Sequence, residues 1–271
     1  MIEVKGLTKV YRSGVLGRER KKALDNISFT LAGGETLGII GESGCGKSTL
    51  SLILAKLLDA TSGTVALHGQ DVSALRGKEL KKYHKQVQII FQNPETALDP
   101  RMKIEKCILE AIRNYDLAPR RSAEERRLLE ELIGKVGLQK EHLSRYCWEL
   151  SGGQIQRAVL ARVIALEPEL LIADEPTSML DVSVQAQILS LIKDLQKKLR
   201  FAMLFISHDL DVVRAVSDRV VVIRHGALVE TGTTEEVYEH PREVYTRSLL
   251  DAFYYDKNAP ELRGEEEENC F

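Results

Sequence analysis

One segment of eight residues limits the folds open to this chain more than any other feature. Residues 41–48 have the sequence GESGCGKS, which fits the pattern G-x-x-x-x-G-K-[ST]. The β-rich run Thr36–Ile40 precedes this segment, and apolar residues at helical spacing follow it from Leu50 to Leu58. Strand, glycine-rich turn and helix in that order predict a parallel-sheet unit, so we expect an α/β fold.

The residue types of this loop indicate phosphate binding. Glycines let successive backbone N–H groups turn inward, where a Cβ would obstruct them, and the following helix adds its positive N-terminal end. Lys47 would place a cation on the β- and γ-phosphates, and Ser48 would offer a hydroxyl to Mg²⁺. The predicted nucleotide-binding residues of the loop are Gly41, Glu42, Ser43, Gly44, Cys45, Gly46, Lys47, Ser48 and Thr49.

A pair of carboxylates ends a second buried strand. Four apolar residues, 170–173, lead into Asp174 and Glu175. Ligands bind at the carboxyl ends of the strands in open α/β sheets, so both side chains should face the nucleotide. Asp174 is suited to hold Mg²⁺ through water, and Glu175 to act as the general base on the attacking water. Together with the Lys47 loop, this pair predicts a P-loop NTPase without specifying its class.

A second glycine-rich segment narrows the class. Residues 150–154, LSGGQ, precede an apolar run at helical spacing and predict another helix N-terminus able to bind an anion. One nucleotide has no evident use for two such devices, whereas two chains arranged head-to-tail could each close the other's site. The segment resembles the signature motif of ABC ATPases, and the resemblance extends along nearly the whole chain. The residues predicted to act in trans are Leu150, Ser151, Gly152, Gly153 and Gln154.

This resemblance implies roles for four further residues. Tyr11 matches the aromatic that stacks on adenine, and Gln92 matches the glutamine that senses Mg²⁺ and the attacking water. Asp181 lies in a segment similar to the D-loop, which communicates with the opposite site, and His208 matches the switch histidine at the γ-phosphate. The resemblance thus implies ATP and Mg²⁺ as ligands, with Ser48, Gln92 and Asp174 holding the metal.

The same resemblance implies the architecture. We expect a RecA-like P-loop NTPase core with an antiparallel β subdomain and an inserted α-helical subdomain that contains the signature segment. A single ATPase domain should span residues 1–255, with its core at about 1–92 and 166–240 and the helical subdomain at about 93–165. Residues 256–271 are interpreted as a mobile C-terminal tail.

Finer similarity points to one branch of the family, the ATPases of peptide and nickel importers. Residues 91–101, 181–189 and 240–250 resemble that branch, which implies two membrane permeases, a second ABC ATPase, either different or identical, and indirectly an extracytoplasmic solute-binding protein. The cargo could be peptide, nickel or a metal–chelator complex. The alternative is a non-transport ABC-type ATPase, such as the ABC-like component of a phosphonate-lyase complex.

Charge and hydropathy restrict the partners and the location. A net charge of -2 argues against binding to nucleic acid, no apolar run approaches the ~20 residues of a membrane helix, and residues 1–5 lack a signal-peptide core. We therefore expect a soluble, intracellular protein, and the resemblance to importer ATPases implies that it lies on the cytoplasmic face of the cell membrane.

The four cysteines, Cys45, Cys107, Cys147 and Cys270, are far apart, which excludes the usual zinc and iron–sulfur spacings. Cys45 lies beside Lys47 and a predicted helix N-terminus. That position predicts a lowered thiol pKa and rapid reaction with maleimides, unless the side chain faces the core.

Overall fold

The strands of the chain form two sheets, and the computed structural model that shows them describes residues 1–13 and 19–258. The first sheet is antiparallel, with the strand order β2-β1-β4-β5. Its strands are β1 (Ile2–Ser13), β2 (Glu19–Leu31), β4 (Ser62–Leu67) and β5 (Gln70–Asp71).

The second sheet has the order β10-β9-β3-β8-β7-β6 and is parallel except for its edge strand β10. Its strands are β3 (Thr36–Ile40), β6 (Val87–Ile90), β7 (Leu170–Asp174), β8 (Ala202–Ile206), β9 (Arg219–Arg224) and β10 (Ala227–Thr233). Every residue of β3, β7 and β8 is buried, as expected for strands covered on both faces. The mixed α/β fold is as predicted.

The helices complete the chain order. They are α1 (Lys47–Leu54), α2 (Gly77–Gln86), α3 (Ile104–Asn114), α4 (Ala123–Val136), α5 (Gly152–Ile164), α6 (Val182–Leu199), α7 (Leu210–Val216), α8 (Thr234–Glu239) and α9 (Val244–Asn258). Short 3₁₀ turns occupy Pro94–Ala97, Lys140–Ser144 and Cys147–Glu149. Within the described residues, no helix is both long enough and apolar enough to cross a bilayer.

Helix α1 is shorter than its apolar spacing predicted. It ends at Leu54, and Lys56 adopts a left-handed conformation with φ of 55°. The N–H groups of Leu57 and Leu58 then donate back to the carbonyl of Leu52, which closes a tight turn. The apolar pattern extends to Leu58, beyond the end of the helix, because Leu58 packs against the core after that turn.

The core lies on both sides of the parallel sheet. Alternate residues of β7 contribute to different sides: Leu170 and Ile172 pack toward α1 and the antiparallel sheet, while Leu171 and Ala173 pack toward the helices inserted between β6 and β7. Both faces of the sheet are therefore covered, and its strand ends are left to build the site.

Helices α3, α4 and α5 all lie in the chain between β6 and β7. Ser122 caps α4 by accepting the N–H of Glu125 at 3.0 Å, and Gly137 ends that helix in a left-handed conformation. The start of α5 therefore belongs to this helical insertion and does not directly follow a strand of the parallel sheet.

Candidate active site

The residues that follow β3, β6, β7 and β8 line one cleft of about 650 Å³. These strands are neighbours in the sheet, so their carboxyl ends emerge side by side. Strands β1 and β2 contribute the rest of the wall. The lining residues are Tyr11, Lys21, Ala23, Gly41, Ser43, Gly44, Gly46, Lys47, Ser48, Thr49, Gln92, Glu175 and His208.

Two glycines of the phosphate loop have no space for a side chain. Gly41 and Gly46 have φ of 151° and 111°, a region that side chains rarely allow. A Cβ on Gly41 would lie 2.1 Å from the carbonyl oxygen of Ile223, and a Cβ on Gly46 would lie 2.3 Å from that of Ala23. The loop is thus fixed by backbone contacts to β2 and to the end of β9.

Lys47 holds the loop from inside. It is 8% exposed, and its Nζ donates to the carbonyl oxygens of Gly41 at 2.6 Å and Glu42 at 2.9 Å. Because α1 begins at Lys47, the free N–H groups of the first helical turn reinforce the positive charge of the ammonium group. The arrangement suits an anion with several oxygens.

Cys45 departs from the prediction. Its thiol is 5% exposed and packs into the core that contains α1, and this burial raises its pKa even though Lys47 Nζ lies 3.8 Å from Sγ. The predicted lowering of the pKa is wrong because loss of hydration outweighs the neighbouring charge. Neither Cys45 nor Glu42 is among the described residues that line the cleft.

Asp174, the last residue of β7, lies beneath the phosphate loop. It is 7% exposed, and the hydroxyls of Ser48 and Ser51 lie near its carboxylate. Burial raises the pKa of its carboxyl, while those two hydroxyls act in the opposite direction. Ser48 and Asp174 therefore lie near each other, as two ligands of one ion must.

Glu175 is the point where three strand ends converge. Its carboxylate accepts the amide N–H of Gln92 at 2.7 Å and lies 3.3 Å from Nδ1 of His208. Its backbone is in the left-handed region with φ of 51°, and its N–H donates to the carbonyl oxygen of Ile206 at 2.9 Å. A non-glycine residue with this φ is strained, by about 1–3 kcal/mol, and such residues cluster at active sites.

Tyr11 stands at the other end of the cleft. Its side chain is 38% exposed, its hydroxyl is 3.4 Å from Oγ1 of Thr49, and Lys9 Nζ lies 5.3 Å from its ring centroid. Lys21 is the partner of Tyr11 in the pairing of β1 with β2 and also lines the cleft, although no sequence motif indicated it. Three register shifts in that pairing make the alignment unpredictable from strand patterns.

The second glycine-rich segment lies outside this cleft. Within the described residues, none of 150–154 contributes to its lining. Ser151 precedes α5 and is exposed, as is Gly152, and the N–H of Ser151 donates to Oε1 of Gln154 at 3.0 Å. The N-terminus of α5 is therefore accessible to a ligand that this chain's own cleft does not hold.

The glycines of this segment also have a packing role that the sequence did not indicate. A Cβ on Gly153 would lie 2.6 Å from Cγ1 of Val184, and one on Gly152 would lie 3.0 Å from Cδ2 of Leu180. Asp181 caps α6 by accepting the N–H of Val184 at 3.0 Å. Helix α5 and the start of α6 thus pack against each other at short range.

Comparison with known proteins gives one family. The model of the family described as "ABC transporter" matches residues 24–178. The chain is 42% identical over 252 residues to the oligopeptide transport ATP-binding protein OppF of Streptococcus mutans, covering 93% of this chain and 81% of the relative. It is also 42% identical over 254 residues to the dipeptide transport ATP-binding protein DppF of Lactococcus lactis, covering 93% and 80%.

A solved structure agrees with the fold. The dimeric structure of a post-hydrolysis state of the ATP-binding cassette MJ0796, bound to ADP and Pi, matches with a TM-score of 0.76 and 28% identity, covering 86% of this chain and 99% of that one. The predicted P-loop NTPase fold is confirmed by this match.

Proposed function

This chain belongs to the ABC transporter family as an ATP-binding subunit that hydrolyses ATP to drive transport, and on that premise we propose that its cargo is peptide and its catalytic base is Glu175. The observation that supports the catalytic proposal best is the contact of Gln92 and His208 with one carboxylate, that of Glu175. The names of the relatives support peptide over nickel.

ATP would lie along the cleft from Tyr11 to Glu175. Tyr11 stacks on adenine, the N–H groups of residues 43–47 surround the phosphates, and Lys47 pairs with the β- and γ-phosphates. Glu175 accepts a proton from the attacking water, and its contacts to Gln92 and His208 fix the direction of its carboxylate. His208, 68% exposed, is free to reach the γ-phosphate.

Ser48 and Gln92, which line the cleft, and the nearby Asp174 fit Mg²⁺. The hydroxyl of Ser48, the carboxylate of Asp174 and the amide oxygen of Gln92 are oxygen donors of the kind that this ion prefers, and the Ser48 hydroxyl lies near the Asp174 carboxylate. Asp174 is buried, so a cation beside it would offset the cost of its charge. When bound, Mg²⁺ neutralises charge on the β- and γ-phosphate oxygens.

As an ABC transporter ATPase, the chain is membrane-associated and works with permeases and a second cassette. We place it on the cytoplasmic face of the membrane, with two permeases, a related ATPase and indirectly a solute-binding protein. We further propose a core at about 1–92 and 166–240 and a helical subdomain at about 93–165, which presents residues 150–154 to the partner's nucleotide. Of the proposed tail, 256–271, only the end of α9 through Asn258 lies within the described residues.

Co-purification tests the assembly. A tagged copy expressed from its own locus, extracted in mild detergent, should bring down two integral-membrane proteins and a second ABC ATPase, identified by mass spectrometry. Recovery in a complex that contains no membrane protein would contradict the importer and favour the phosphonate-lyase alternative.

Uptake in a deletion strain tests the cargo. Loss of the chain should abolish uptake of a labelled oligopeptide while leaving uptake of radiolabelled nickel unchanged. Restoring the wild-type chain, or one with Glu131→Gln on the exposed face of α4, should recover uptake, whereas Glu175→Gln should not. Loss of nickel uptake instead of peptide uptake would contradict the proposed cargo.

A further inference from the structure

The phosphate loop rests on elements from the far end of the chain. Gly41 lies against the carbonyl of Ile223 at the end of β9, and the N–H of Gly226, in the turn before β10, donates to the carbonyl oxygen of Cys45 at 3.0 Å. The same region faces the first turn of α9, which begins at Val244. The shape of the loop therefore depends on residues about 200 positions later in the sequence.

Tyr245, in the first turn of α9, makes the contact to the loop. Its hydroxyl accepts the N–H of Glu42 at 3.4 Å, and the guanidinium carbon of Arg224 lies 4.6 Å from its ring centroid. The side chain is half-buried, and this burial raises the pKa of the phenol above its ordinary value of 10.0. The hydroxyl thus keeps its proton at neutral pH and can both accept and donate.

The start of α9 is held firmly enough to act as an anchor. Glu230 on β10 is 8% exposed, and its carboxylate accepts the backbone N–H groups of Arg242 at 2.9 Å and Glu243 at 3.2 Å. Arg247 donates from Nε to the carbonyl oxygen of Pro241 at 3.1 Å. The segment that leads into α9, two residues before Tyr245, is thereby tied to β10, which restricts where the Tyr245 hydroxyl can lie.

The peptide groups of Glu42 are held from both sides. Its carbonyl oxygen accepts from Lys47 Nζ at 2.9 Å, inside the loop, and its N–H donates to Tyr245, outside the loop. The N–H groups that would face the phosphates follow directly, in residues 43–47. Fixing the Glu42 peptide therefore sets the direction in which the rest of the loop turns.

We propose that Tyr245 is a positioning residue for nucleotide binding: its hydroxyl fixes the Glu42 peptide and so pre-organises the phosphate loop. This rests on the proposed placement of the ATP phosphates on residues 41–48. Tyr245 does not touch the nucleotide in this account. Loss of the hydroxyl should weaken binding of any nucleotide whose phosphates reach the loop, with little effect on the chemical step.

The variant Tyr245→Phe removes the hydroxyl and keeps the ring beneath Arg224. Tyr255→Phe is its matched control, because it makes the same change on the same helix at a side chain that is 71% exposed. By isothermal titration calorimetry, Tyr245→Phe should raise the Kd for ATP and for ADP about two- to tenfold, the range expected for one net hydrogen bond. Its kcat at saturating ATP and its Tm without nucleotide should match those of the control.

Two results would overturn the proposal: an unchanged Kd in Tyr245→Phe, or a raised Kd that comes with a matching loss of Tm, which indicates a structural role only. ATP binding by the wild type and by Lys47→Ala distinguishes failure of the Tyr245 proposal from failure of the proposed phosphate site. Tight ATP binding by the wild type, lost in Lys47→Ala, supports the loop as the phosphate site even if Tyr245 has no role. Absence of ATP binding by the wild type would instead contradict the proposed site itself.

Discussion

Glu175 combines a strained backbone conformation with side-chain contacts to Gln92 and His208. Its left-handed φ follows directly on β7, and its N–H donates to the carbonyl oxygen of Ile206. Gln92 and His208 then approach the same carboxylate oxygen, Oε2. Strain of this kind persists when surrounding contacts compensate for it, and here it accompanies a carboxylate that lines the cleft, the proposed general base.

Glu175→Gln should keep ATP binding and lose turnover. The amide preserves the shape of the side chain but cannot accept a proton, and a general base contributes ~10²–10⁴ in rate. Steady-state ATPase assays and ATP titrations on the same preparation measure both quantities. The exposed Glu131→Gln on α4 should retain wild-type turnover. Turnover above about a tenth of wild type in Glu175→Gln would remove the base assignment.

Cys45 should react slowly with maleimides at pH 7. Burial raises its pKa, so the thiolate fraction is smaller than that of a free thiol, and only 5% of the residue is exposed. Peptide mapping by mass spectrometry after timed N-ethylmaleimide treatment should show Cys45 labelling at least about tenfold faster in denaturant than in buffer, with a rate in buffer that rises with pH. Equal rates in buffer and denaturant would show an accessible thiol.

Helices α3 and α4 are joined by an ion pair. Arg113 donates from Nε and Nη2 to the two carboxylate oxygens of Glu125, at 2.7 and 2.9 Å, and the N–H of Arg121 donates to the same carboxylate at 2.9 Å. Glu125 is 3% exposed, and the Arg113 hydrogen bonds lower its pKa to about 2 from an ordinary 4.5. This interaction joins α3 to α4, and both helices pack against α5, at whose start residues 150–154 lie.

Its contribution to stability should depend on pH. A depressed pKa in the folded state means that the stabilisation is fully present above pH 4.5 and is lost as pH falls toward 2. Glu125→Gln should therefore lower the free energy of unfolding by about 1.5–3 kcal/mol at pH 7, and the difference from wild type should shrink below pH 4.5. Urea unfolding at several pH values measures this, with Glu131→Gln as the control on α4. A difference independent of pH would contradict the role given to the pair.

At the scale of the whole molecule, features that depend on residues adjacent in the chain could be predicted from the sequence, whereas features that depend on distant residues could not. The phosphate loop, the Asp174–Glu175 pair and strand β3, predicted at Thr36–Ile40 and found there, each depend on a short local pattern. Tyr245 could not be predicted as a loop contact because 203 positions separate it from Glu42. The pKa of Cys45 was predicted wrongly because it is set by packing, and only the neighbouring charge was visible in the sequence.

The chain contains two segments suited to bind an anion, the phosphate loop and the N-terminus of α5, and their arrangement is a property of the whole molecule. The cleft is lined by the loop that contains Lys47, while the N-terminus of α5 lies outside it, accessible at Ser151 and Gly152. In the proposed function, a second chain brings its own α5 to this cleft. Each nucleotide would then be enclosed by residues of both chains.

Nucleotide trapping in a mixed dimer tests this most directly. Combine Lys47→Ala chains with Ser151→Arg chains as a homodimer or a cross-linked mimic, and count the nucleotides protected per dimer under non-hydrolysing conditions. If the segment at 150–154 serves the partner, both lesions fall on one composite site and the other stays intact. The account predicts one protected nucleotide in the mixed dimer and none in either pure mutant dimer. A mixed dimer that protects no nucleotide would contradict a site shared between two chains.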